Sequence, residues 1–190
     1  MTTTNSPERF KPLTLEEMTP AQRRMAENLL SGPRKGMRGP FSALLYSPEM
    51  GDAAQELGAR VRFKNSLPDK LKELAILTVA RFWTAQFEWY AHQRLALEAG
   101  LNPTIAADIA AGKRPAGMHA DEVTIYDFCS ELLETREVSD ATFAAVKERF
   151  GEKAVIDLIC TMGYYTLVSM TLNVNRYPLP EGATPLPKLR

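Results

Sequence analysis

Residues 69–100 read DKLKELAILTVARFWTAQFEWYAHQRLALEAG. Apolar residues recur in this stretch at spacings of three and four, which is the period of an amphipathic helix. Ser66, followed by Pro68 and Asp69, has the pattern of a helix N-cap, and Gly100 is a typical helix end. One helix of that length would be unusually long, so we predict a break at residues 83–86. The stretch is therefore expected to form a pair of helices.

Helical signals continue on both sides of this pair. Thr19 with Pro20, Asn102 with Pro103, and Ser139 are typical starts of further helices. Helices are predicted at residues 21–30, 48–63, 103–112, 119–134, 139–151 and 154–173, with a basic loop at 33–40 and a short turn at 41–46. The two-residue alternation of β-strands is absent from the sequence. We therefore predict an all-α fold.

Two of these helices carry expectations about packing. On the helix at residues 48–63, the core-facing stripe is predicted at Met50, Ala54, Leu57 and Val61. Residues 154–173 hold one charged side chain in twenty positions, so this helix should be buried on nearly every side. Because few residues remain to cover it, we expect a subunit interface there.

The composition is that of one globular domain, with 190 residues of which 45% are apolar and 24% charged. The domain is expected over residues 1–190, with roughly twelve flexible residues at the start and a proline-rich tail, extended or poorly ordered, from about residue 178. Twenty-three basic residues balance 23 acidic ones, which disfavours nucleic acid and anionic membranes as partners. With no recognisable signal peptide or spanning run, a cytoplasmic location is expected.

Several chemistries are excluded by what the sequence lacks. Cys129 and Cys160 lie far apart and outside any C-x-x-C pair, which excludes a disulfide framework, a zinc ribbon and a dithiol redox motif. Phosphate-binding glycine loops and serine nucleophile elbows are also absent from the sequence. The chemistry is therefore expected to come from other side chains.

Glu73 is a carboxylate on an apolar helical face, which it shares with Ile76, Leu77 and Ala80. Burial disfavours the ionised form of a carboxyl group, so such a group can exchange protons near neutrality. A structural ion pair is the alternative interpretation of the same position.

Glu88 and His92 are four residues apart and lie over one another on one helical face. A carboxylate beside an imidazole fixes its tautomer and raises its basicity, although a surface hydrogen-bonded pair has the same spacing. On one straight helix Glu73 and His92 would be about 28 Å apart, at 1.5 Å per residue. A turn near Thr84 would bring them level, so the three groups are expected to converge near Trp83, Phe87 and Trp89.

A metal site is not predicted from these residues. Di-iron bundles repeat Glu-x-x-His on separate helices, whereas this chain has one Glu-x-x-x-His and no His-Glu-x-x-His. His119 falls at a loop-to-helix junction and is expected to be a cap or a solvent contact.

The runs ELAIL at 73–77, ARFW at 80–83 and EWYAH at 88–92, followed by AGL at 99–101, closely resemble the carboxymuconolactone decarboxylase and alkyl hydroperoxidase D superfamily. The resemblance implies a compact all-α fold with a proton-relay site on the central helix pair. It also implies a homo-oligomer, since trimers and hexamers both occur in the superfamily.

The sequence departs from the peroxidase branch, in which Cys-x-x-Cys-x-x-x-His follows an upstream glutamate. Glu73 and His92 match the glutamate and histidine positions, but Ala85 and Glu88 occupy the two cysteine positions. Thiol–disulfide exchange needs both thiols, so that mechanism is excluded. The remaining acid/base trio is closer to the decarboxylase branch.

The resemblance leads us to expect a cofactor-free carboxy-lyase that acts on a small carboxylated or lactone compound from aromatic breakdown. Glu73, Glu88 and His92 would be its catalytic residues. Arg38 or Arg81 would orient the anionic substrate, with Arg81 alternatively a structural ion-pair partner. Further substrate contacts are expected from Trp83, Trp89 and Tyr165. Tyr164 and Tyr165 could both line the pocket, although the favoured alternative is that they are interface aromatics on the apolar C-terminal helix.

Two other functions stay open from the sequence. A peroxidase-like protein would use Cys129 or Cys160, although both cysteines are expected to be buried in apolar helices. A non-catalytic oligomer would bind a small hydrophobic ligand without turnover.

Overall fold

The computed structural model describes residues 7–32, 36–187 and 189. The described residues contain helices and no strand, so the predicted all-α class is confirmed. In chain order the helices are α1 (Pro20–Ser31), α2 (Phe41–Leu44), α3 (Pro48–Phe63), α4 (Asp69–Phe82), α5 (Gln86–Glu98), α6 (Pro103–Ala110), α7 (Ala120–Thr135), α8 (Asp140–Phe150) and α9 (Glu152–Asn175). The predicted basic loop lies partly outside the described residues, since 33–35 are not among them.

Local capping signals predicted the starts of α1, α6 and α8. The Thr19 hydroxyl accepts a hydrogen bond from the backbone of Gln22, and the Gln22 side chain accepts one from the backbone of Thr19. Asn102 and Ser139 cap α6 and α8 in the predicted way. Ser66 is the exception, because α4 begins only after Pro68 and Ser66 caps nothing. The backbone N–H and hydroxyl of Ser66 both donate to Asp157 instead, which fastens this loop to α9.

The buried face of α3 differs from the predicted stripe. Met50 and Leu57 are 68% and 41% exposed, whereas the buried positions of this helix are Gly51, Ala54, Gly58 and Val61. The reason is the close approach of α1: a Cβ atom at Gly51 would lie 2.4 Å from the Met25 methyl carbon. Small side chains therefore take the inner face, and the larger ones turn outward.

Helix α4 is the centre of the molecule. Every residue from 71 to 81 is buried, and the helix packs against α5, α6, α7 and α9. A smaller apolar cluster, formed under α1 and α2, includes Met25, Leu29 and Phe41. Because α4 is enclosed, its polar side chains must find partners inside the protein.

The predicted break between the paired helices is confirmed. Helix α4 ends at Phe82 and α5 begins at Gln86. Thr84 has a φ of 48°, in the left-handed region that a tight reversal requires and that few non-glycine residues adopt. Its hydroxyl accepts a hydrogen bond from Arg81 at 2.7 Å, which helps to hold the turn. The two helices therefore lie side by side.

Helix α9 packs against α2, α3, α4, α5 and α8. It is long and apolar enough to cross a membrane by length and composition, which corrects the expectation that no run approaches that limit. Half of its most apolar window is buried inside the fold, so it serves here as a core helix. Its outer face carries exposed apolar side chains, including Ile156, Leu167 and Val174.

Both ends of the described chain are attached to the helices. Residues 1–6, on which part of the predicted flexible start falls, lie outside the described residues. The backbones of Arg9 and Phe10 donate to Asn175, at the end of α9. The tail is extended, as predicted, but it is docked: Leu186 is buried and its backbone exchanges two hydrogen bonds with the Gln86 side chain. The single domain over residues 1–190 stays a prediction.

Candidate active site

His92 on α5 lies between two carboxylates. Its Nδ1 is 2.6 Å from Oε2 of Glu73 on α4, and its Nε2 is 2.9 Å from Oε1 of Glu88, one turn earlier on α5. The helix hairpin predicted from the sequence therefore brings these three groups into contact. No other element supplies a member of the trio.

The trio is withdrawn from water, with each side chain about 5% exposed. Burial by itself would lower the pKa of His92, but the charges and hydrogen bonds of Glu88 and Glu73 outweigh it and raise the pKa to about 9. His92 is therefore an imidazolium at neutral pH, and both ring N–H groups donate. Each carboxylate accepts one of these bonds.

A cavity of about 410 Å³ opens onto this trio. Its walls come from helices α3, α5 and α9, from the start of α2 and from the segment before α2. The lining residues include Arg38, Phe41, Arg62, Phe87, Glu88, His92, Tyr164 and Tyr165. Glu73 does not line the cavity and communicates with it through His92. The predicted catalytic residues thus form a row from the cavity wall into the core, in the order Glu88, His92, Glu73.

Two arginines line the cavity without an ion pair to any carboxylate in the described part of the chain. Arg38 is exposed, as suits a residue of the loop before α2, and was predicted as a substrate contact. Arg62, in the last turn of α3, is half-buried and was missed. The sequence offers no signal that separates it from Arg60, since both are cations near the end of the same helix. Only the packing of α3 on α9 shows which one faces the cavity.

Tyr165 lies on the cavity wall as predicted, next to the imidazole. The two rings meet edge to face with centroids 4.8 Å apart. Burial, followed by the charges of Glu88 and Glu73, raises the pKa of Tyr165 well above its usual value. The side chain is therefore a neutral phenol.

Three predicted substrate contacts lie elsewhere. Arg81 points away from the cavity and donates to the backbone oxygens of Ala110 at 3.0 Å and Pro187 at 2.6 Å. It does not line this cavity and pairs with no carboxylate among residues 7–32, 36–187 and 189, because it faces the tail on the far side of α4. Trp89 follows Glu88 on α5 and is therefore rotated into the core, and Trp83 packs edge-on against Phe82 in the turn after α4.

Residues 48–122 match the family model of the carboxymuconolactone decarboxylase family. The matched residues include Glu73, Glu88 and His92, so the stretch that holds the trio is similar to this family. The fold is similar to a crystal structure described as an alkylhydroperoxidase AhpD core, an uncharacterized peroxidase-related protein from Ralstonia eutropha JMP134, with a TM-score of 0.73 over 93% of this chain and 94% of that one. The two sequences are 15% identical, so this likeness shows the fold alone. Comparison with curated protein sequences gave no significant match.

The superfamily's cysteine positions are occupied here by residues of a different kind. Ala85 is buried at the start of α5, and Glu88 stands on the cavity wall. The chain's own cysteines lie outside the cavity: Cys129 is buried in α7, and Cys160 is only partly buried in α9, contrary to expectation. Burial raises the pKa of the Cys129 thiol far above its usual value, so that thiol is a poor nucleophile.

Metal ligands of the usual kind are not grouped in the part of the chain that the structure describes, where no three His, Cys, Asp or Glu side chains are arranged to hold an ion. The donor atoms of the trio are instead directed at one another through hydrogen bonds. His119 precedes α7, and its backbone N–H donates to Glu122 at 2.7 Å, which is a capping position as predicted.

Proposed function

We propose that this chain is an acid/base enzyme of the carboxymuconolactone decarboxylase type, a carboxy-lyase that needs no cofactor. Its substrate would be a small carboxylated or lactone compound from aromatic breakdown. One observation carries the proposal: a buried imidazolium lies between two carboxylates on the wall of a cavity, which is also lined by two arginines that pair with no carboxylate of the described residues. In such a cavity the arginines can bind an anionic substrate, and the imidazolium and its carboxylate can protonate a carbon atom of that substrate.

The chemistry of decarboxylation fits this set of groups. The bond from carbon to the leaving carboxylate breaks, CO2 departs, and the electron pair is delocalised toward the lactone carbonyl. A proton must then be delivered to carbon. The proton comes from the imidazolium: His92 Nε2–H would pass it to the Glu88 carboxylate on the cavity wall, and Glu88 would deliver it to carbon. The neutral imidazole would then take up a proton from solvent before the next turnover. Glu73 would hold the imidazole ring in place and balance its charge.

Arg38 would orient the substrate from the mouth of the cavity. A guanidinium binds a carboxylate with two parallel hydrogen bonds, which fixes direction as well as position. Because Arg38 is exposed, its charge is screened by solvent, and we assign it the capture of the anion rather than most of the affinity.

The direct test is CO2 release from 4-carboxymuconolactone by the purified protein. Wild-type protein should release CO2, and Glu88→Gln should do so about 10²- to 10⁴-fold more slowly, the range for loss of general acid/base catalysis. Glu98→Gln, an exposed change on the same helix, is the matched control and should keep the wild-type rate. Equal rates for wild type and Glu88→Gln would contradict the proposal.

The two other functions left open by the sequence are distinguished by peroxide consumption and by lactone binding without CO2 release. A peroxidase-like protein would consume peroxide with a thiol donor, but neither cysteine reaches the cavity, and we do not propose it. A non-catalytic binder would take up the lactone without releasing CO2.

We further propose that the chain assembles into a homo-oligomer, a trimer or hexamer, through the outer face of α9. The positions exposed there follow one another at spacings of three and four residues and so form one stripe: Ile156, Ile159, Gly163, Leu167, Met170 and Val174. A stripe of this kind is typical of a surface that another chain covers. Nucleic acid and membranes are not proposed as partners, and the cytoplasmic location stays a prediction.

A further inference from the structure

We infer that Arg62 and Tyr165 form an anion subsite inside the cavity, which binds the carboxylate of the substrate against the wall formed by α3 and α9. The inference rests on the proposed function in that the ligand is the substrate of that reaction. It adds to the proposal two residues that set affinity and specificity for a carboxylate. Neither residue belongs to the Glu88–His92–Glu73 row.

Arg62 has the position and the environment of an anion ligand. Its backbone oxygen accepts a hydrogen bond from the buried Lys72 ammonium at 2.7 Å, so the end of α3 is held in place. Its guanidinium lies over the Phe63 ring, with 5.4 Å between the guanidinium carbon and the ring centroid. Within the described residues no carboxylate pairs with this half-buried charge. A guanidinium in that state gains more from an anion than an exposed one does.

Tyr165 supplies a hydrogen-bond donor beside this charge. The residue is 2% exposed, and its ring is confined by edge contacts with His92 and Tyr164. Its hydroxyl has no hydrogen-bond partner among residues 7–32, 36–187 and 189. The hydroxyl oxygen is not one of the fully enclosed polar atoms that lack a partner, so it is reached from the cavity, where a ligand can accept its hydrogen bond. Because the phenol stays neutral, it can donate to a carboxylate oxygen.

The positive charge of Arg62 acts on the hydroxyl of Tyr165. The positive charge of Arg62 lowers the pKa of Tyr165, against the larger effects of burial and of the two carboxylates, so the guanidinium lies within electrostatic reach of the hydroxyl. Around the cavity, three cations (Arg38, Arg62 and His92) face two carboxylates. The excess of positive charge favours a ligand that brings one carboxylate.

The test is a titration of the protein with benzoate, a carboxylate probe that suits the aromatic walls. Binding is monitored by NMR of the protein. Wild-type protein should bind benzoate and discriminate against benzamide, which has the same shape and no charge. Arg62→Gln should weaken benzoate binding roughly 10- to 100-fold, as expected for loss of a charged hydrogen-bonded partner. Arg60→Gln removes the same charge from an exposed position of the same helix and should bind like wild type.

Tyr165→Phe tests the second group. It should weaken benzoate binding about 3- to 10-fold, the effect of one lost hydrogen bond, while Tyr90→Phe on the exposed side of α5 should have none. Should Arg62→Gln fail to fold, Arg62→Lys keeps the charge without the planar fork and should lie between wild type and the full loss.

The binding measurement does not depend on turnover, so the two proposals fail separately. Benzoate affinity within twofold of wild type in Arg62→Gln, or equal binding of benzoate and benzamide, would overturn the subsite, and so would a wild-type protein that binds no benzoate. Loss of affinity in Arg62→Gln from a protein that releases no CO2 would support the subsite and remove the decarboxylase proposal.

Discussion

Oε2 of Glu73 lies 2.6 Å from Nδ1 of His92, although nineteen residues separate the two in the chain. The contact exists because Thr84 reverses the chain and places the middle of α4 beside the middle of α5. Glu88 completes the arrangement from the other side of the ring. A charged imidazole can be kept in this core because both of its N–H groups meet a carboxylate.

Replacing Glu73 by Gln should lower the proposed turnover roughly 10- to 100-fold, the usual cost of removing the carboxylate that orients a functional histidine. The pKa of His92 should fall from about 9 toward its ordinary value of 6.5, because one of the two carboxylates that raise it is gone. NMR titration of the imidazole and a rate measurement check both effects. The amide oxygen introduced by Glu73→Gln can still accept a hydrogen bond from Nδ1–H. We therefore expect the free energy of unfolding to fall by less than about 3 kcal/mol, which is the lower end of the range for removing one partner of a buried ion pair. Full activity in this variant would contradict a catalytic role for Glu73.

The stability of the protein should fall between pH 6.5 and 9. The pKa of His92 is raised on folding, so its stabilising effect is fully present below pH 6.5 and is lost as the pH rises through about 9. The shift corresponds to a loss of the order of 3 kcal/mol in the free energy of unfolding, at ~1.4 kcal/mol per pKa unit. Urea unfolding across this range measures it. His92→Gln should flatten the curve, whereas His119→Gln should leave it unchanged.

Arg81 and Arg62 should behave in opposite ways when each is replaced by Gln. Arg81→Gln leaves the backbone oxygens of Ala110 and Pro187 without their donor, so we expect a loss of about 1.5–3 kcal/mol in stability. Benzoate affinity should stay at the wild-type value, because Arg81 does not line the cavity. Urea unfolding and the benzoate titration check the pair. A benzoate defect in Arg81→Gln would show that the tail region and the cavity are coupled.

The oligomer should depend on the outer face of α9. Light scattering at micromolar concentration should give a native mass above the 21.2 kDa of one chain. Leu167→Glu places a charge in the middle of the exposed stripe and should shift the protein toward the monomer. Met50→Glu is the control, since Met50 is 68% exposed on α3 and lies outside the stripe. A wild-type monomer would contradict the proposed assembly.

Chelation should leave the enzyme unchanged. If the trio transfers protons, incubation with EDTA should alter neither the rate nor the melting temperature, and elemental analysis should find less than one zinc, iron or manganese per chain. A stoichiometric ion whose removal abolishes turnover would contradict the proton relay. The carboxylates and the imidazole would then have to be reassigned as ligands.

Much of the helical order could be predicted because helix ends are encoded locally. Thr19, Asn102 and Ser139 each bond to backbone groups two or three residues away, so their role does not depend on the rest of the fold. The same holds for the spacing of Glu88 and His92, which one helical turn brings together. The meeting of Glu73 with His92 required one further step, the recognition that the chain must turn near Thr84.

What the sequence by itself determined, then, is the longer helices, the starts of α1, α6 and α8, and the trio on the central hairpin. Only the tertiary structure decided which face of each helix is covered. Met50 is exposed, and Ser66 donates to Asp157 instead of capping a helix. Arg81 bonds the tail, whereas Arg62 lines the cavity. The physical reason is that a helix's caps depend on its own neighbours in the chain, whereas its buried face depends on the shape of the elements that pack against it. Arg60 and Arg62 both lie in the last turn of α3, but only the packing of that helix leaves Arg60 exposed and places Arg62 on the cavity wall.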